Sequence, residues 1–332
     1  MSQTVVSSSA EKPGTVRRAR TSVWLMGPVT TAGTIVRPLA STLARAEDQR
    51  SLAELPLRVA QISDIHCGHG TFHDDWMRSL IERLNDMRPD VVLVVGDLTA
   101  SGYEWEYEEA VRWLEEIEAP KVVVPGNHDY RNVGYIHYKH HFGGAFGRVR
   151  QAFEPLRAER LVATGFTVVG VDSAEPDVDD GNVGLEHYGW IREQFDHADD
   201  VKIFAIHHHL VPIPGTGRER NIISDAGDLL AELTRLDLDV IVAGHRHVPF
   251  FWGLNGILLC NSGTATTRRV RGRTPPSWNE IVVDASTIKV YLHYADGRRQ
   301  LAVIFNRKTR AITREAFYLT EAFLEANQVL PP

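Results

Sequence analysis

The stretch Val91-Val92-Leu93-Val94-Val95 limits most severely what this chain can become: five apolar residues in a row that stop at Gly96-Asp97. A continuous apolar run of this length is the pattern of a strand covered on both faces, so the chain needs layers above and below a sheet. The arrangement recurs. Leu57 to Ile62 leads into Asp64-Ile65-His66, and Lys121 to Val124 leads into Gly126-Asn127-His128-Asp129. Val201 to Ile206 runs straight into His207-His208-His209, and Val240-Ile241-Val242 precedes Gly244-His245-Arg246-His247. Open α/β sheets bind ligands beyond the carboxyl ends of their strands. Five polar fragments at five strand ends therefore converge on one edge.

Helical patterns alternate with these strands. Asp74 to Met87 places Trp76, Leu80, Ile81 and Leu84 at helical spacing, and Pro89 stops it. Glu104 to Ile117, His187 to Phe195 and Asp225 to Leu236 read as further helices, with the acidic residues of Glu104 to Ile117 facing water. Arg131 to Gly147, rich in His, Tyr and Gly, reads as a long loop with a helical turn, and Phe166 to Val171 as a strand. Beyond Gly244 come short strands at Phe250 to Gly253, Ile257 to Cys260, Glu280 to Val283, Ile288 to His293 and Leu301 to Phe305. Asn255-Gly256 and Asp296-Gly297 are hairpin dipeptides among them. Arg310 to Ala326 reads as an amphipathic helix. Strand-helix alternation followed by a meander predicts a four-layer α/β/β/α sandwich, two mixed sheets face to face with helices outside. The expected division is a leader over 1–54, a catalytic domain over 55–309 and a helical extension over 310–332.

The leader reads differently from the rest. It opens without periodicity, carries a basic cluster at Arg17, Arg18 and Arg20, and then runs uncharged from Thr21 to Val36. That run falls short of the roughly 20 apolar residues a membrane span needs. The preferred reading is a disordered leader on a cytoplasmic enzyme. The alternative is an export signal cleaved near Ala44-Arg45-Ala46, with the adjacent arginines as a twin-arginine address. No later segment is long and apolar enough to cross a bilayer.

Composition narrows the function. The formal charge of −7, from 36 basic and 43 acidic residues, argues against broad electrostatic binding of nucleic acid. It does not exclude a small anionic substrate, because bound metal ions dominate their local field. Two cysteines, Cys67 and Cys260, are too few for a disulfide framework or a Cys-type zinc site. Cys67 follows His66 and reads as a small semi-buried residue. Carboxylate, amide and imidazole together suit manganese, iron, zinc or cobalt. Two ions about 3.5–4 Å apart need a ligand that reaches both. Asp97 is the natural bridge, since it ends the most buried strand and follows a glycine that permits close approach.

Asp64-x-His66, Gly96-Asp97, Gly126-Asn127-His128-Asp129, the histidine run and Gly244-His245-x-His247 together resemble, in full and in order, the motifs of the calcineurin-like metallophosphoesterases. The likeness covers roughly Leu57 to Thr264. Asp97-Leu98-Thr99-Ala100-Ser101-Gly102 and the histidine run resemble the bacterial class III cyclic-nucleotide phosphodiesterases and their glycerophosphodiester-cleaving relatives. The purple acid phosphatases carry a tyrosine where Ala100 stands, which disfavours that subtype. The resemblance implies the metallophosphoesterase fold and two divalent or trivalent metal ions. Asp64, His66 and His247 would hold the first ion, Asp97 would bridge, and Asn127, His207 and His245 would hold the second. His208 is the alternative to His207. His128 would stabilise the phosphate or act as general acid, and Asp129 would orient its ring.

The expected reaction is in-line attack on phosphorus by a metal-activated hydroxide, since coordination can lower the pKa of water from 15.7 towards about 7. Phosphodiesters, cyclic nucleotides or glycerophosphodiesters among them, are the preferred substrates. A phosphomonoesterase or protein phosphatase is the alternative, and a non-catalytic scaffold is least favoured because it would not need the full ligand set. A homodimer is compatible with the late strands. Tyr135, His137, Tyr138, His140 and His141 read as a polar loop rather than a substrate wall. Ser262-Gly263-Thr264 reads as a far wall of the site. Arg268, Arg269, Arg271 and Arg273 read as a solvated loop rather than phosphate contacts, and Trp278 and Phe251 as packing residues.

Overall fold

The computed structural model describes residues 56–214, 216, 222–270 and 274–315. In chain order these form β1 (Leu57–Ile62), α1 (Asp74–Met87), β2 (Val91–Val95), α2 (Glu104–Glu115), β3 (Lys121–Val124), α3 (Gly134–Phe142) and β4 (Gly147–Ala152). There follow α4 (Pro155–Leu161), β5 (Gly165–Gly170), α5 (Tyr188–Gln194), β6 (Val201–Ala205), α6 (Ala226–Arg235) and β7 (Val240–Ala243). The last part is strands alone: β8 (Phe250–Leu254), β9 (Ile257–Asn261), β10 (Ser277–Val283), β11 (Thr287–Tyr294), β12 (Arg299–Asn306) and β13 (Ala311–Glu315).

One sheet has the order β13-β12-β11-β10-β1-β2-β3 and the other β4-β5-β6-β7-β9-β8. Both are mixed: β1 runs parallel to β2 and antiparallel to β10, and β5 runs parallel to β6 and antiparallel to β4. The surroundings of Val91–Val95 explain why no polar residue interrupts that run. Val91, Leu93 and Val95 face the second sheet, packing with Phe166, Val168, Ile203 and Val242. Val92 and Val94 face the helices, packing with Leu80 and Leu84 of α1, Leu114 of α2 and Phe142 of α3. A third layer joins the outer face of the second sheet to α5 and α6 through Phe204, Ile241, Ile191, Leu229 and Leu233. The result is the four-layer α/β/β/α sandwich, with apolar burial of about 1.5–3 kcal/mol per large side chain as its main support.

Polar groups tie the sheets together beneath the strand ends. Gln61 donates to the carbonyls of Ala243 (2.8 Å) and Cys260 (3.2 Å) across the sandwich. Asn279 donates to Gln61 Oε1 (2.9 Å) and to the Asn261 carbonyl (3.2 Å). An amide pair buried this way fixes sheet against sheet at one depth.

Several elements differ from the sequence expectation. Gly134–Phe142 is a regular helix rather than a loop with one turn. β4 and α4 carry no strong apolar pattern because β4 is an edge strand whose arginines are only partly covered. Glu106 does not face water: it is buried and accepts the backbone N–H groups of Ser101 (2.8 Å) and Tyr103 (3.2 Å). The expected helix over Arg310 to Ala326 is corrected for its first residues, since Ala311–Glu315 is strand β13 against β12. Asn306 Oδ1 accepts the N–H groups of Lys308 (3.0 Å) and Thr309 (2.8 Å), which turns the chain back onto the sheet, and Ile312 packs on the inter-sheet core. The leader 1–54 with its export alternative, and residues 316–332, lie outside the described residues. No helix among the described residues is long and apolar enough to cross a membrane. Trp278 is a packing residue as expected, buried and stacked on His293.

Candidate metal centre

Parallel pairing brings the polar fragments together. The loops after β1 and β2 continue the ladder beyond the strands, with Asp64 N–H on the Gly96 carbonyl (3.0 Å) and His66 N–H on the Asp97 carbonyl (3.0 Å). The loops after β6 and β7 do likewise, with Gly244 N–H on the His207 carbonyl (2.9 Å). Close approach needs bare backbone. A Cβ at Gly96 would strike the His207 ring, and one at Gly126 would strike the Asp97 carboxylate. Asp64, His66, Asp97, His245 and His247 all hold left-handed backbone, with φ of 56°, 53°, 54°, 72° and 57°. Such strain costs of order 1 kcal/mol per residue and persists only where the surroundings enforce it.

Two groups of donors result. In the first, Asp64, His66, Asp97 and His247 offer ligand atoms that all lie within 4.8 Å of one another, every residue buried. His66 Nε2 lies 3.1 Å from His247 Nε2 and 3.7 Å from Asp97 Oδ2, and His247 Nε2 lies 3.1 Å from Asp64 Oδ1. The second joins His207, His208 and His245. Asn127 belongs with it: its Oδ1 lies 3.0 Å from His245 Nδ1 and 3.3 Å from His207 Nε2. Asp97 faces both groups, since its Oδ1 lies 3.4 Å from His207 Nε2.

Hydrogen bonding at the outer nitrogens tests whether a cation fits. His66 Nδ1 faces the Thr99 carbonyl (3.3 Å), His207 Nδ1 faces the Val95 carbonyl (2.8 Å), and His247 Nδ1 faces the Arg269 carbonyl. A carbonyl only accepts, so each Nδ1 carries the proton and each Nε2 turns a lone pair inward. Lone pairs and carboxylate oxygens 3–4 Å apart repel unless a cation lies among them. Asp64 Oδ1 agrees: it is buried and receives no hydrogen bond among the described residues. The residues fit a pair of cations. His208 differs from His207, because its ring nitrogens meet Ser173 Oγ (2.8 Å) and the Asp179 carbonyl (3.2 Å).

Electrostatics points the same way. Burial pushes the imidazoles of His66 and His245 well below the ordinary histidine range, and neighbouring imidazoles add to it. Both are therefore neutral near pH 7, the ligating form. At His207 burial pulls the value down, but Asp97 and Asp64 outweigh it and raise it.

His128 sits against the first group, its ring 4.6 Å from that of His66 and its N–H on Asp97 Oδ1 (2.9 Å). Its Nδ1 lies 2.6 Å from the Ala100 carbonyl, and its Nε2 lies 3.1 Å from an Arg269 guanidinium nitrogen. Burial lowers its pKa, with Arg131 and Arg269 adding to that against Asp97 and Ala100. The expectation that Asp129 orients this ring is corrected, because Ala100 does so. Asp129 instead accepts N–H groups from Leu98 (3.2 Å), Thr99 (2.9 Å) and Gly126 (2.9 Å) and the Thr99 hydroxyl (2.9 Å). It locks the β2 loop to the β3 loop. Burial and nearby Asp97 push its carboxyl up to about 7.

Other residues fall into place around this core. Asp179 accepts from Asn127 Nδ2 (3.1 Å), which turns Asn127 Oδ1 inward, and from Arg131 (2.8 Å). Thr264 Oγ1 and Thr266 Oγ1 donate to the carbonyls of Asp64 (2.8 Å) and Ile65 (3.1 Å), so the segment after β9 braces the first ligand loop. Cys67 is buried, and burial drives its thiol pKa well up, in keeping with packing. His137 and His141 pair with Glu104 rather than lining the donors, and Tyr138 is core. Arg269, read as part of a solvated loop, is half-buried and reaches the centre. Asp179 and Arg269 have no apolar run before them, so Asp179 leaves no mark in the sequence pattern and Arg269 shows only as one of four clustered arginines.

The family model of the calcineurin-like phosphoesterases matches residues 57–249. A probable cyclic nucleotide phosphodiesterase of Synechococcus sp. is 21% identical over 251 residues, covering 73% of this chain and 94% of its own length. A probable glycerophosphodiester phosphodiesterase of Arcobacter nitrofigilis is 27% identical over 124 residues, covering 37% of this chain and 42% of its own. A solved structure of a dimetal phosphatase from Danio rerio superposes with a TM-score of 0.56 at 12% identity, over 74% of this chain and 98% of the other, which shows a shared fold.

Proposed function

The chain belongs to the calcineurin-like phosphoesterase family, and on that premise we propose that it hydrolyses phosphodiesters with a pair of metal ions. In this reading Asp64, His66 and His247 hold the first ion, Asn127, His207 and His245 the second, and Asp97 reaches both. One observation carries it: three imidazoles are pinned by backbone carbonyls so that their lone pairs turn on the carboxylates, His66 and His207 on the two Asp97 oxygens and His247 on Asp64. His207 is preferred over His208 because the Asp179 carbonyl takes the proton of His208 Nε2 and the Ser173 hydroxyl meets its Nδ1, which leaves His208 no lone pair facing the centre. Bound ions of this kind acidify coordinated water and offset charge on phosphoryl oxygens.

The chain's own residues supply the rest. Asn127 is oriented by Asp179, so its oxygen rather than its nitrogen faces the centre. His128, held by Ala100 and by Asp97, keeps Nε2 beside Arg269 at the first donor group. Once Nε2 also carries a proton, the ring can give a hydrogen bond, or the proton itself, to a phosphoryl or leaving-group oxygen placed there. Asp129 and the threonines after β9 hold these loops in register, which limits the reorganisation needed in the transition state.

Diesters are preferred over monoesters on the kinship with proteins named as cyclic nucleotide and glycerophosphodiester phosphodiesterases. Purified protein loaded in turn with manganese, iron, zinc and cobalt is expected to turn over bis-p-nitrophenyl phosphate faster than the monoester, with two ions per chain by metal analysis. Faster monoester turnover would reverse the substrate preference. Fully loaded protein inert toward both esters would end the hydrolase reading.

A further inference from the structure

Arg269 belongs to neither donor group, yet it touches both the first group and His128. Its carbonyl accepts from His247 Nδ1, and its guanidinium lies 3.1 Å from His128 Nε2. The segment that carries it is tied down. Phe72 and Thr267 form a bridge, Thr71 and Thr267 share a hydroxyl hydrogen bond (2.5 Å), and Arg268 N–H donates to the Thr71 carbonyl (3.1 Å). Arg269 N–H is itself held by Thr267 Oγ1 (3.1 Å). Among the described residues, the neighbouring arginines Arg268 and Arg131 do not share the position. Arg268 lies over the Trp76 ring at 5.8 Å and is exposed. Arg131 also lies beside His128, at 3.0 Å, but its charge is matched by Asp179 at 2.8 Å. Among the described residues no carboxylate pairs with Arg269. A guanidinium half-buried without an anion, at the nitrogen that faces the reacting group, is a phosphate contact awaiting its partner.

We propose that Arg269 binds a non-bridging phosphoryl oxygen of the substrate beside His128, and that its unmatched charge tilts the site towards phosphates bearing two negative charges. The proposal deepens the phosphohydrolase reading and rests on it. A monoester dianion, or the free phosphate released from one, gains more from an added cation than a monoanionic diester does. The guanidinium therefore works against the diester preference inferred from kinship, and removing it should sharpen that preference.

The test uses the metal-loaded protein, with inorganic phosphate as probe in calorimetry and the mono- and bis-p-nitrophenyl esters in kinetics. Arg269→Ala keeps the backbone carbonyl on His247, so metal content is expected to stay at the wild-type value. Phosphate affinity should fall roughly 10–100-fold, and kcat/KM for the monoester by a similar factor, the loss expected for a charged hydrogen bond. The diester should lose several-fold less. Arg269→Lys should recover part of the phosphate affinity, and Arg269→Gln, close in length without the charge, should behave like alanine. Unchanged phosphate affinity, or equal losses on both esters, would overturn the proposal. Protein inert toward both esters whose phosphate affinity still depends on Arg269 would sink the hydrolase reading and leave the anion contact standing.

Discussion

The two donor groups lie side by side but are made of different material. The first combines the carboxylates of Asp64 and Asp97 with two imidazoles. The second relies on imidazoles and the amide of Asn127, and shares Asp97 for its only carboxylate. Anionic ligands bind a hard or borderline cation more strongly than neutral ones, so the first position should fill first and the second should depend on it. The framing differs too. His66 and His247 come from loops on opposite sheets, whereas His207 and His245 end neighbouring strands of one sheet. Asn127, from the loop after β3, ties this second group to the first sheet in turn.

The harshest way to break this comparison is to remove what both groups share. Asp97→Ala is expected to empty both positions and cut turnover by at least about 10⁴-fold, several kcal/mol of transition-state stabilisation. Metal analysis after gel filtration checks it, and one tightly held ion in that variant would contradict the shared role. His128→Ala belongs to neither group. Both ions should remain while turnover falls roughly 10²–10⁴-fold, so steady-state kinetics with metal content in parallel separates chemistry from binding. Asn127→Ala should sharpen the contrast, weakening the second ion alone by about 10–100-fold. A titration that shows the first ion weakened equally would make the two positions one.

The smallest effect concerns acid. Glu280 lies outside both groups. Burial alone would raise its carboxyl, but His293 and Arg299 outweigh that and hold it down at about 2, from an ordinary 4.5. A depressed carboxylate pKa stabilises the fold above its unfolded value, and the contribution fades as pH falls from 4.5 towards about 2. Allowing for solvent screening, it amounts to about 1–2 kcal/mol. Glu280→Gln should lower stability at pH 7 and flatten its decline between pH 4.5 and 2, as followed by circular dichroism, with metal binding unchanged.

The donor residues could be read in advance because each ends an apolar run, and parallel pairing then delivers them to one edge. Asp64, Asp97, His207 and His245 are all of this kind. Asp129 was legible as a partner of His128 only by adjacency, and three-dimensional pairing gave it another task, binding the β2 loop 30 residues back. Arg269 could not be told from the other three arginines of its cluster for a deeper reason: its position is set by Thr71 and Phe72, almost 200 residues earlier. β4 and β13 escaped notice because edge strands half in solvent need no apolar run. Local pattern reveals what a residue's own element dictates, and not what a distant loop imposes.

The left-handed backbone at Asp64, His66, Asp97, His245 and His247 has a consequence for how this surface can change over generations. Outside glycine, asparagine, aspartate and histidine enter that region several-fold more readily than other residues. Drift at these five places is thus channelled by shape before chemistry is weighed. A descendant relieved of its catalytic duty would be expected to carry glycine or asparagine there rather than alanine or leucine, a scar that would mark a retired enzyme.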